Sequence, residues 1–165
     1  MTDIKNSKLL DSDTGIRQLK DACIVLVKTE WNDSIVDELE KGCISKLKEF
    51  GIKKIKTIIV PGAFEIGFAI KSYADHWGTK DADAFIALGC IIKGDTPHFE
   101  YVCRAVTDAV VQLNLSMSSP TIFGVLTLDN EEQGLERIGG KHGHKGEEAA
   151  ITALKMIALK KSYNP

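Results

Sequence analysis

The sequence predicts an α/β fold: a three-layer sandwich around a central four-stranded parallel sheet. Two observations carry this. Apolar runs at residues 22–27 (ACIVLV), 56–60 (KTIIV), 83–90 and 121–127 (TIFGVLT) alternate with stretches of helical period. Near-continuous runs mark strands buried on both faces, as parallel strands are. In addition, the unusual loops all follow the carboxyl ends of these runs, the edge at which such sheets bind ligands.

Taken in order, residues 1–20 are polar and without period. They read as a disordered tail, or as an arm that orders against a neighbouring subunit. Residues 21–165 read as one domain. The run at 22–27 is the central strand. Residues 29–33 form its exit loop, with Asn32 or Asp33 to cap the next helix. That helix carries Val36, Leu39, Cys43, Leu47 and Phe50 on one face and stops at Gly51. The second strand leaves through residues 61–65 (PGAFE). Its helix turns Ile66, Ile70, Tyr73, Ala74 and Trp77 inward. The third strand exits through a Gly/Asp/Thr/Pro loop into a helix with Val102, Ala105, Val106, Ala109, Val110 and Leu113 at helical spacing. Pro120 introduces the fourth strand. A short helix over 131–138, a glycine- and lysine-rich loop over 139–146 (GGKHGHKG) and a last helix over about 147–160 complete the chain. The general wind is flavodoxin-like.

Composition narrows the function. Hydrophobic residues make up 44% and charged residues 27%, ordinary for a globular protein, and 165 residues suffice for a real core. The net charge of −2, without a basic stripe interleaved with aromatics, predicts no nucleic-acid partner. Cys23, Cys43, Cys90 and Cys103 are scattered, with no CxxC pair, and read as free thiols rather than disulfides or a zinc site. The sequence displays no apolar signal region and no run fit to span a bilayer, so the expectation is cytoplasmic, without a membrane partner.

The candidate residues sit in the exit loops. Trp31 follows the first strand, where its ring can stack on a flat heterocycle. Gly62 lets backbone approach a ligand, and Glu65, in the first helical turn, can accept from hydroxyl or amino groups; alone, it is equally a carboxylate complementing a helix dipole. Asp95 and Thr96 stand where backbone N–H groups can hold a phosphate, although the Asp95 charge opposes an anion. His98, at the start of the third helix, reads as the acid/base group. Phe123 reads alone as core packing. Arg137 is either a solvated helix-end cation or a phosphate clamp, the task its forked donors suit. His142 and His144 have no second ligand cluster, so no metal is expected. The chain lacks a GxGxxG, a flavodoxin-type phosphate loop and a GxSxG elbow, which argues against a dinucleotide site, an FMN site and a serine nucleophile.

Residues 60–66 (VPGAFEI), 89–102 (GCIIKGDTPHFEYV), 122–127 (IFGVLT) and 136–146 (ERIGGKHGHKG) resemble lumazine synthase in order and spacing, from about residue 22 to the last helix. The resemblance implies the penultimate step of riboflavin biosynthesis. In it, 5-amino-6-(D-ribitylamino)uracil condenses with 3,4-dihydroxy-2-butanone 4-phosphate to give 6,7-dimethyl-8-ribityllumazine, with no metal and no organic cofactor. By position it implies His98 in proton transfer. Trp31, Ala63, Phe64, Glu65, Cys90, Ile91 and Ile92 would meet the pyrimidine substrate, with Phe123 reaching in from an adjacent subunit. Asp95, Thr96 and Arg137 would meet the phosphate, and Lys145 and Glu148 would assist at the edge. Asp95 departs from the small neutral residue common there, and His144 replaces the usual Asn. The resemblance also implies a homopentamer, in some members closed twelvefold into a sixty-subunit icosahedral shell, and association with riboflavin synthase. The alternative readings are a non-catalytic flavin- or lumazine-binding relative and a structural shell protein.

Overall fold

The computed structural model describes residues 9, 16, 19–77 and 81–163. The arm expected over residues 1–20 lies almost wholly outside the described residues. The elements run β1 (Cys23–Thr29), α1 (Asp33–Glu49), β2 (Lys54–Val60), a 3-10 turn (Ala63–Glu65) leading into α2 (Ile66–Trp77), β3 (Ala84–Ile92), α3 (His98–Ser116), β4 (Thr121–Leu128), α4 (Glu131–Leu135), β5 (Ile138–Gly140), β6 (Gly143–His144) and α5 (Lys145–Tyr163).

β1 to β4 form an all-parallel sheet in the order β2-β1-β3-β4. The fold is therefore the three-layer α/β sandwich predicted. Side chains alternate across the sheet with period two. Ile24, Leu26, Ile86, Leu88, Ile122 and Leu126 pack toward α1 and α5, whereas Val25, Val27, Phe85, Ala87 and Val125 pack toward α2 and α3. β1 and β3 are buried almost throughout because both have neighbours on either side and helices above and below. β2 is an edge strand and is less covered, with Lys54 and Lys56 exposed on one face and Thr57 and Ile59 on the other.

Local chemistry sets the boundaries. α1 ends as its glycine predicts: Gly51 has φ 84°, its N–H donates to Lys48 O, and Ile52 N–H donates to Leu47 O. This pair of bonds satisfies carbonyls that the helix end would otherwise leave open. α2 and α3 approach closely at Gly67, where a β-carbon would sit 2.7 Å from that of Ala109.

Four expectations need correction. Trp77 is 57% exposed rather than turned inward, because α2 ends there and its ring meets the neighbouring His76 ring edge-on, centroids 4.7 Å apart, instead of the core. β3 continues through Ile91 and Ile92, held by pairing with Thr127 and Leu128. Residues 139–146 are not a plain loop: β5 and β6 form an antiparallel hairpin with Gly139 at φ 115° and Gly143 at φ 76°, conformations that favour glycine. α5 accordingly begins at Lys145 and runs to Tyr163.

Candidate active site

The order β2-β1-β3-β4 places a topological switch between β1 and β3, and the crevice at the carboxyl end of such a switch is where open α/β sheets bind ligands. Three exit loops meet there. The first is short, because Thr29 ends β1 and α1 already starts at Asp33. Asn32 sits at φ 57°, the only non-glycine with positive φ among the described residues. Asn tolerates this left-handed conformation better than most residues. It stands at the N-cap position of α1, but its side chain does not cap the helix. Instead Nδ2 donates to Cys90 O at 2.8 Å, bridging the β1 exit to the end of β3 across the switch point. The cap expected of Asn32 is thus replaced by a tertiary bond, which local sequence does not reveal. Asp33 Oδ1 accepts from Ser34 N–H at 2.8 Å.

The bond from Glu30 N–H to Val60 O, 3.0 Å, ties the first loop to the second. In the second, Gly62 is extended and its missing side chain leaves room for neighbours. A β-carbon there would lie 3.1 Å from Glu65 Oε2 and 3.7 Å from Trp31 Cδ1. Trp31 and Glu65 therefore flank one glycine. Trp31 is 73% exposed and Phe64 63%, so both rings stand open to a ligand, while Ala63 is buried.

The third loop leaves β3 and enters α3 at His98, its first residue, which is exposed. Thr96 Oγ1 accepts from His98 N–H at a long 3.4 Å. Among the described residues no acceptor takes the N–H groups of Gly94, Asp95 or Thr96, so they remain free for an anion. Cys90 and Ile91, buried, and Ile92, partly buried, form the strand end behind this loop. Burial, and secondarily the charge of Glu131, pushes the Cys90 thiol up to about 12. It stays protonated at neutral pH, which suits a wall rather than a nucleophile.

The remaining candidates lie elsewhere. Phe123 pairs with Ala87, five residues before Leu128 closes the register with Ile92. At the rise of a strand this is about 16 Å short of the crevice. Nor is it core: β4 is a sheet edge, and Phe123 is 36% exposed. It lines an open cleft of about 770 Å³ along β4, together with Lys145 and Glu148. Lys145 is 4% exposed, and its Nζ lies 2.6 Å from Glu148 Oε1. Arg137 follows α4. Its Nη1 donates to Gln133 O at 2.7 Å and lies 3.9 Å from Glu136 Oε2. One of five guanidinium donors is engaged by that carbonyl, leaving others for an anion. A hydrogen bond from Lys141 holds the Glu136 carboxyl below its ordinary range, although partial desolvation opposes this.

The chain thus presents two groups of candidate residues, Trp31, Phe64, Glu65 and His98 at the crevice and Phe123, Lys145 and Glu148 along β4. A family model for 6,7-dimethyl-8-ribityllumazine synthase matches residues 21–161. Proteins curated under that name are similar over most of their length. One from Cytophaga hutchinsonii is 46% identical over 154 residues, covering 92% of this chain and 95% of its own. One from Porphyromonas gingivalis is 46% identical over 144 residues, covering 86% and 88%. One from Parabacteroides distasonis is 46% identical over 136 residues, covering 81% and 83%.

Proposed function

The chain belongs to the 6,7-dimethyl-8-ribityllumazine synthase family, and from that premise we propose how its residues perform the reaction. It is a transferase of riboflavin biosynthesis that joins 5-amino-6-(D-ribitylamino)uracil to 3,4-dihydroxy-2-butanone 4-phosphate. An amine of the pyrimidine attacks the ketone and water leaves, forming an imine. Loss of a proton then expels phosphate, and the second nitrogen closes the ring with loss of water. Each step moves protons between carbon, nitrogen and oxygen, which an imidazole near neutrality serves well. Holding two substrates together supplies much of the rest.

The convergence of Trp31, Glu65 and His98 at the carboxyl ends of β1, β2 and β3 carries this reading. Trp31 and Phe64 stack on the pyrimidine, and Glu65 accepts from its hydroxyl or amino groups. Ala63, Cys90, Ile91 and Ile92 wall the pocket. The free N–H groups around Asp95 and Thr96, with Arg137, hold the phosphate. His98 moves protons.

Completion comes from a second copy. The separation between Phe123 and the crevice of its own chain supports a site shared between neighbours, in which one copy offers the crevice and the next the β4 cleft. A homopentamer provides such contacts in a closed ring. The same reading extends to an icosahedral shell, association with riboflavin synthase, a cytoplasmic setting, and residues 1–20 as an arm on the domain of residues 21–165. Among the described residues no helix is long and apolar enough to cross a membrane.

The test is an absorbance assay of lumazine formation from the two substrates, with Arg137→Ala alongside. Turnover is expected in the unmodified protein. In the variant, the KM of the phosphate substrate should rise about ten-fold or more, as loss of a charged hydrogen bond implies, with pyrimidine binding little changed. An equal loss for both substrates would remove Arg137 from the clamp. Ligand binding without turnover by the unmodified protein would favour a non-catalytic relative.

A further inference from the structure

His144 ends β6 immediately before α5, and its ring lies on α1 at Gly42. A β-carbon on Gly42 would sit 2.0 Å from His144 Cε1, 2.4 Å from Nε2 and 2.5 Å from Nδ1, far inside van der Waals contact. The ring therefore occupies the place of a side chain at position 42. Two residues on, the same thing happens again: a β-carbon on Gly146 would sit 2.0 Å from Leu39 O. Leu39 and Gly42 are three apart on α1 and share one face. The start of α5 is thus seated on α1 at both positions 144 and 146. Between them is Lys145, whose Nζ meets Glu148 and whose side chain lines the β4 cleft with Phe123. Its backbone N–H also donates to Arg137 O at 2.8 Å, so the same short segment joins two candidate residues.

The seat works against stability in two ways. Glycine inside a helix is unfavourable. His144 Nδ1 is buried and has no hydrogen-bond partner among the described residues, which is also unfavourable. Local costs of this kind concentrate where geometry serves function. We propose that His144, seated on Gly42, is a positioning residue that aims Lys145 and Glu148 into the β4 cleft. The proposal rests on the lumazine-forming reading and on the place of that pair in the shared site. The ring acts by shape: its Nδ1 makes no bond that would fix it.

The experiment takes the full-length protein with His144→Ala, Gly42→Ala and the double variant. With the ring gone, His144→Ala should lower kcat about ten-fold while the pyrimidine KM stays within about two-fold, the split expected when a misplaced group matters in the transition state. Gly42→Ala should reproduce this by evicting the ring. The double variant should be no worse than His144→Ala alone, because the two changes remove one contact. A His144→Ala enzyme with a normal kcat and a lowered Tm would overturn the proposal and leave a packing role. Independent losses that multiply in the double variant would also overturn it. Wild-type turnover in the same assay reports separately on the activity itself. Should wild type not turn over, a crystal structure of His144→Ala decides: a displaced Lys145 supports positioning, and Nζ still 2.6 Å from Glu148 with the segment unmoved refutes it.

Discussion

At the carboxyl ends of β1, β2 and β3, Trp31, Phe64, Glu65 and His98 stand exposed on or beside the exit loops. Along β4 they spring from regular elements, and the charged pair among them is largely buried: Lys145 is 4% exposed and Glu148 16%. The crevice holds its loops with backbone and side-chain hydrogen bonds, Asn32 to Cys90 and Glu30 to Val60. The cleft holds its residues by packing α5 against α1. The first arrangement offers aromatic faces, a carboxylate and an imidazole but little cover. The second offers an apolar wall with a polar floor but no acid/base group besides its own ion pair. Each region lacks what the other has, which is what the proposed sharing of one site between neighbouring copies requires.

Perturbing each half in turn sharpens this contrast. The largest effect is expected from the crevice. His98→Ala should lower kcat on the order of 10²-fold or more, as loss of a general acid/base does, with pyrimidine binding and Tm nearly unchanged because the side chain is exposed. Steady-state kinetics beside a ligand titration read both, and an unaltered kcat would take His98 out of the mechanism. A smaller effect should follow in the cleft. Phe123→Ala should raise the pyrimidine KM about ten-fold, the scale of a lost aromatic stack, with little loss of stability because the ring is not core. A collapse of Tm without a KM change would return Phe123 to a packing role. Smallest of all, Gly94→Ala should leave Tm within about a degree or two, since nothing lies within 4 Å of a β-carbon there. Its KM for the phosphate substrate should nevertheless rise a few-fold, about what crowding one N–H donor costs. An unchanged KM would mean that the anion sits elsewhere.

The same contrast explains what the sequence makes legible. β1 and β3 are readable because parallel central strands need apolar residues on both faces, and Ile24 to Val27 and Phe85 to Leu88 supply them. The crevice is readable through its loops, since glycine, proline and aspartate interrupt the apolar pattern at each strand end. Periodicity misleads at the edges. Trp77 fits the inward spacing of α2 yet lies exposed at the helix end, and Phe123 fits a buried strand yet faces an open cleft because, among the described residues, no strand pairs with the outer edge of β4. Composition misleads at residues 139–146, where glycine and lysine suggest a loop and backbone pairing makes a hairpin. Local pattern offers Asn32 or Asp33 as the α1 cap, but the role of Asn32 depends on Cys90, 58 residues away, a contact that no local pattern encodes. The seat of His144 on Gly42 joins α1 to the far end of the chain and is hidden for the same reason.

The central claim is that one active site takes its crevice from one copy and its β4 cleft from the next. Subunit mixing tests it most directly. One protein carries Trp31→Ala with His98→Ala, the other Phe123→Ala with Lys145→Ala, and each alone should be nearly inactive. After co-expression and random assembly into rings, about a quarter of the interfaces should pair an intact crevice with an intact cleft, so about a quarter of wild-type turnover should return. If the mixture is no more active than its two components although mass analysis shows mixed rings, both halves must serve the same copy, and the shared site is wrong.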